Sequence, residues 1–205
     1  MTFLDIVNEA LFDRFSEARR ASLKRYVNAR YGRVWAQEPW TFKRIAVTTS
    51  VAANVSSVSM ATLGLQRIEG VWRVQSGRNY NMNPDRPEDF FIWVNASGGT
   101  PYDFTVYGDS LRLDKSPSST TSFVVLGEKA FTELVADADV PLIPAEFHMM
   151  LVHGAASEGL RMENDPTWQG FEQDYQAYMN DLKAGYLTAV RNYGDSYPAW
   201  VPSRW

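Results

Sequence analysis

Cysteine is absent from this 205-residue chain, so no disulfide, thiolate metal ligand or thiol nucleophile contributes and packing alone must hold the fold. Histidine is scarce: only His148 and His153 occur. Five residues apart on one helical stretch, they turn to different faces and miss the four-residue step of a helical zinc pair, and there is no HExxH. Glycine-rich phosphate loops of both common kinds are missing. No apolar run approaches the roughly 18 residues that cross a bilayer. No basic-then-apolar leader opens the sequence, so we expect a protein made and assembled in the cytoplasm, with no membrane partner.

Partial matches to reactive constellations also fail. Ser157 in GAASEG sits in a near nucleophile elbow, but the first glycine is one residue too far away, no strand precedes it and both histidines come too early for hydrolase order. Asn79, Asn81, Asn83 and Asp85 alternate as in a calcium loop, yet Pro84 stands where glycine is needed and Phe90 where the closing acid belongs. The acid pairs Glu88 with Asp89 and Asp137 with Asp139 fall in loops, with nothing to place them at a cleft. We therefore assign no catalytic, cofactor-binding or metal-binding residue and expect no enzyme.

The residues present describe a folded, assembly-prone chain. An apolar share of 45% suits a sizeable core, and an aromatic share of 14%, with several aromatics near the two ends, exceeds what a simple core requires. The net charge of −4 argues against a free nucleic-acid binder. Residues 2–31 read as one helix, with Thr2 as cap, Asp5 completing a capping box, apolar residues at Leu4, Val7, Leu11, Phe15 and Ala18, and Gly32 as stop. Its acids, Asp5, Glu9 and Asp13, lie early. Arg19, Arg20, Lys24, Arg25, Arg30 and Arg33 form a basic end, read either as a solvated face matching the helix dipole or as a surface for DNA or an acidic partner.

From Phe42 to about Val135 the period changes to that of short strands: FKRIAVTTS, VSSVSMATL, GVWRV, FFIWV, YDFTVYG, SLRL and TSFVVL. A hairpin is expected at Tyr107-Gly108-Asp109-Ser110, and residues 76–89 should form a projecting polar loop. Beyond lies DVPLIPAEFHMMLVHGAASEGL, where Pro144 opens a helix with Glu146 in its first turn. Phe147 and Leu151 share a face that continues through Gly154 and Ala155, thin enough to receive another helix. Asp165 and Pro166 then start a long aromatic helix, in which Trp168, Phe171 and Tyr175 lead the face that packs on this stripe. The expected fold class is α+β. An antiparallel helical bundle, made of the N-terminal helix and two C-terminal helices (1–41 and 140–194), carries an inserted antiparallel β-sandwich or small barrel (42–139). An extended arm (195–205) follows.

The arm SYPAWVPSRW offers Tyr197, Pro198, Trp200, Pro202, Arg204 and Trp205 to a partner. Tryptophan and tyrosine supply contact area, and proline lowers the entropy lost on ordering. The alternative is an arm that folds back on its own helices. Two other functions stay open. One is a β-sandwich module binding a glycan or peptide on Trp72, Tyr80, Phe91 and Trp93; the other is a hydrolase using His148 and Ser157.

Three stretches carry a family resemblance. They are YVNARYGRVWAQEPWTF, with Trp35 and Trp40 at the exit into the first strand; GTPYDFTVYGDSLRL, turning through Gly108 and Asp109; and VPLIPAEFHMMLVHGAASEGL with the amphipathic helix after it. In this order and spacing the chain resembles bacteriophage head-to-tail adaptor, or connector, proteins, including tubular tail adaptors. The resemblance implies a structural virion protein at the head-tail junction, closing on itself as a ring of about twelve copies. Such a ring docks under the portal protein and offers its other face to the downstream tail protein. DNA passes through its channel without specific binding, because many phosphate contacts would retard it. On this view the basic helix end meets an acidic portal surface in preference to DNA.

Overall fold

The computed structural model describes residues 1–12, 14–93 and 98–187, the side chains at 92 and 93 excepted. They divide into two compact units: Met1–Lys43 with the chain from Phe131 onward, and Arg44–Ala130. Together they make an α+β fold, a helical bundle interrupted by an antiparallel β insert.

In the helical unit, Thr2 is extended and its hydroxyl accepts from the Asp5 amide at 3.2 Å, while the Asp5 carboxylate accepts from the Thr2 amide at 2.8 Å. This reciprocal cap starts helix α1, Phe3–Leu11, which buries Phe3, Ile6, Val7 and Ala10. The single helix expected over 2–31 is not formed. The backbone turns extended at Phe12, makes a 3-10 turn over Glu17–Arg19 and resumes as helix α2, Arg20–Gln37. Phe15 fits helical spacing in sequence, but its ring instead lies where Gly159 presents no side chain. A Cβ added at Gly159 would fall 2.7 Å from the ring. Nor does the helix stop at Gly32. It runs on to Gln37 and ends where Glu38 is extended ahead of Pro39.

Residues 131–143 cross this unit without regular structure. Asn28 bonds both the carbonyl and the amide of Leu134 at 2.9 Å, and the carbonyls of Asp139 and Asp137 accept from Phe3 and Leu4 at 2.7 and 3.1 Å. Those two amides belong to the first turn of α1, which has no partner for them within the helix. After Pro144 a 3-10 turn over Ala145–Phe147 leads into the next helix of this unit, His148–Met162, and a second follows over Trp168–Tyr186. Asp165 and Pro166 were expected as the cap and first residue of the latter. They stand instead in the turn before it, where the Asp165 carboxylate accepts from the Thr167 amide and hydroxyl at 2.9 and 2.7 Å.

The β unit opens with β1, Arg44–Val51, and β2, Ser57–Ser59. The stretch expected to continue as strand breaks into a one-turn helix, α3, Met60–Leu63. Ser59 Oγ accepts from the Ala61 amide at 3.2 Å, and Gly64 closes the turn in the left-handed region at φ 66°. β3, Leu65–Gln75, follows. Residues 76–89 are not a projecting loop. Ser76 and Gly77, both at positive φ (50° and 74°), form a two-residue turn into β4, Arg78–Asn81, and β5 covers Asn83–Pro84. Of FFIWV, read as a strand, Val94 lies outside the described residues and residues 90–93 lie in helix α4, Pro87–Trp93. Proline opens it, Glu88 and Asp89 face the positive end of its dipole, and Phe90 N bonds Arg86 O at 2.8 Å. β6, Asp103–Tyr107, and β7, Ser110–Leu113, form the expected hairpin with Gly108 at φ 58°, and β8, Thr121–Lys129, ends the insert.

The strands make two four-stranded sheets, β1-β8-β3-β4 and β2-β7-β6-β5, antiparallel apart from the short β5–β6 pairing. Val71, Phe123 and Val125 of the first and Phe104, Leu111 and Leu113 of the second join one buried cluster, which makes the insert a sandwich. The helical unit has its own core, including Tyr31, Trp35, Trp40, Met150, Leu151 and Tyr175. The helices His148–Met162 and Trp168–Tyr186 are α5 and α6 below.

Candidate functional site

From Met150 to Leu160 every residue of α5 except His153 is buried, so this helix is the axle on which α1, α2 and α6 pack. Its thin face is filled from within the unit. A Cβ at Gly154 would lie 3.0 Å from both Arg30 Cγ and Tyr175 Cδ2, which shows how closely α2 and α6 approach here. Leu151 and Ala155 are fully buried beside it, Tyr175 is 4% exposed, and the Arg30 guanidinium stands 4.6 Å over the Tyr175 ring. Phe147 and Phe171 close the edges. Phe147 packs edge-on to Tyr186, and Phe171 lies between His153 and the Arg14 guanidinium. Trp168 is half-buried where α6 begins.

A polar joint crosses the same seam. Arg30, with its side chain 7% exposed, binds Glu172 of α6 in bidentate fashion at 3.2 and 2.7 Å and reaches Glu158 of α5 at 3.1 Å. Glu158 also accepts from Arg33 and Arg161 at 2.9 and 2.6 Å, and Glu172 from Ser157 and Gln176 at 2.9 and 3.0 Å. Burial raises the Glu172 pKa, but the hydrogen bonds from Arg30 and Gln176 outweigh it and hold the carboxyl below the ordinary glutamate range. Bidentate geometry and shared acids fix the rotation of α2 and α6 about α5. The sequence reading missed Glu158 and Glu172 as a pair. Their signal was an acid on the inward side of each of two otherwise apolar helix faces.

The other basic positions have separate fates. Arg19 pairs with Glu163 at 3.0 Å, Arg20 with Glu17 and Asn8, and Lys24 with Asp137 at 2.5 Å. Arg25 is exposed and, among the described residues, bonds Ser22 alone. The basic end is therefore a set of struts within the unit, with Arg25 and the outer side of Arg33 turned to solvent. The arm residues Tyr197, Pro198, Trp200, Pro202, Arg204 and Trp205 lie outside the described residues.

Among the described residues neither alternative site is assembled. Ser157 Oγ donates to Glu172, while His148 Nε2 meets the Ile143 carbonyl at 2.8 Å. In the β unit, Trp72 pairs with Asn81 and Arg73 with Tyr80, so Trp72 and Tyr80 project from opposite faces, Phe91 meets Tyr107 of the other sheet edge-on, and the Trp93 side chain lies outside those described.

What this scaffold belongs to is decided by comparison with known families. The profile of the SU10 adaptor protein, a phage head-to-tail adaptor, matches residues 1–198. The chain belongs to the SU10 adaptor family. Among curated proteins, none matches it. Membership makes the chain a structural virion component with a head-to-tail role. In this SU10 adaptor protein the joint around Arg30 ties α2 to both α5 and α6. Among the described residues no helix is long and apolar enough to cross a membrane.

Proposed function

We propose that this adaptor closes into a ring of about twelve copies that docks under the portal protein, receives the downstream tail protein on its other face and lets DNA pass. The observation that carries this reading is the family match across 1–198. The net charge of −4 supports a channel that does not grip phosphate. The role is structural and not catalytic, exercised at the head-tail junction after assembly in the host cytoplasm. The arm residues from Tyr197 to Trp205 anchor the ring on a neighbour or on the portal.

Electron microscopy of the purified protein mixed with purified portal tests the reading: rings stacked on portal are expected, and persistent free monomer overturns it. Removing residues 196–205 should leave the thermal melt unchanged and abolish portal attachment. Normal attachment by the truncated protein would assign the arm no part in it.

A further inference from the structure

A ring needs two different faces on each copy, one for each neighbour. The outward sides of α2 and α6 have this character. On α2, Ala21, Arg25, Ala29, Arg33 and Ala36 are all exposed, a thin surface interrupted by two arginines. On α6, Gly170, Ala177 and Ala184 recur at seven-residue steps along the line opposite the buried Tyr175, Met179 and Leu182, with Asp174 and Asp181 along one flank. Among the described residues, none accounts for the missing side chain at Gly170. A Cβ at Gly170 meets no atom within 4 Å, whereas Gly154 and Gly159 are crowded by their own chain. Glycine in a helix costs about 1 kcal/mol relative to alanine, so an exposed glycine without an internal reason marks a surface that something outside approaches closely.

The charges are complementary. Arg25 has no ion pair among the described residues, and the Arg33 side chain is 60% exposed beyond its bond to Glu158. Asp174, also 60% exposed, stands 3.4 Å from His153, whose burial favours the neutral ring, and among the described residues it forms no salt bridge with a lysine or arginine. Level is set as well. The ion pairs Arg30–Glu172 and Glu38–Lys183 tie α2 and α6 side by side, running in the same direction. Copies related by rotation about an axis along these helices keep that level.

We infer that the outer face of α2 in one copy packs on the outer face of α6 in the next, with Ala29 beside Gly170, Arg33 paired with Asp174 and Ala36 beside Ala177. The inference rests on the ring reading above and names the surface that closes the ring. Small residues let the two helix backbones approach, and the arginine-aspartate pair sets the register.

The test compares wild type, Arg33→Glu, Asp174→Arg, their double variant and Arg161→Glu by counting rings on purified portal in electron micrographs, with thermal melts as the folding control. Arg161→Glu removes another Glu158 partner away from both faces. Each single reversal should reduce ring formation by roughly tenfold or more; the double variant should recover it, and Arg161→Glu should assemble like wild type. Ala177→Trp, which fills the thin line of α6 without touching the core, should block rings independently. Single reversals that assemble normally, or a double variant no better than either, would overturn the pairing while leaving the ring intact. Wild-type protein that forms no rings would instead sink the ring reading itself.

Discussion

Two faces of the helical unit are equally thin, and they differ in what covers them. The α5 face is closed, since Arg30 and Tyr175 lie against Gly154 and Phe15 against Gly159, each at a distance that leaves no room for a methyl group. Among the described residues the α6 face is open around Gly170. Small residues therefore have two uses here, one that fixes the fold and one available to a neighbour. A sequence stripe alone does not tell them apart; the space around each glycine does.

The most damaging way to break the closed side is to remove its charge centre. Arg30→Ala leaves Glu158 and Glu172 facing each other across the seam without their shared cation, and should lower unfolding free energy by about 3–5 kcal/mol in urea titrations. Gly154→Ala forces Arg30 and Tyr175 apart at positions now in contact, at a cost of about 1–3 kcal/mol by the same measurement. Acid should act on this seam more gradually. Burial holds His148 and His153 below the ordinary imidazole range, so the native state prefers both rings neutral. Stability should fall as pH drops below the unfolded-state imidazole pKa, about 6.5. Glu172, held below the ordinary glutamate range, contributes stability above its unfolded value that is lost as pH falls through its lowered folded one. Urea midpoints across pH should therefore fall in two stages. The open side gives the smallest effect and the opposite sign: Gly170→Ala should stabilise the unit by about 0.5–1 kcal/mol, because its Cβ meets empty space.

Local chemistry was legible wherever a short motif settles it. The Thr2–Asp5 box, the turn through Gly108 and the helix opening after Pro144 can be read from neighbouring residues. Tertiary demands could not be read this way. Leu11, Phe15 and Ala18 keep helical spacing through a segment that the structure bends, because Phe15 is drawn to Gly159, far away in sequence. FFIWV has strand-like composition, yet Pro87 with Glu88 and Asp89 starts a helix into it. The Ser76-Gly77 turn was hidden in polar sequence that resembled loop. At the site, the aromatic and small residues of the α5–α6 seam were visible by periodicity, but the buried destination of Arg30 was not, since a run of arginines reads as surface until its acids are located.

The contrast between the closed and open faces can be tested by covalent capture, which the absence of native cysteine makes clean. Ala29→Cys and Gly170→Cys, introduced together, are to be assembled on portal, oxidised and resolved on a denaturing gel. If the open face of α6 receives the next copy's α2, the double variant gives a ladder of linked chains up to the full ring, while each single variant stops at monomer. Rings seen by microscopy with no ladder from the double variant would contradict that account.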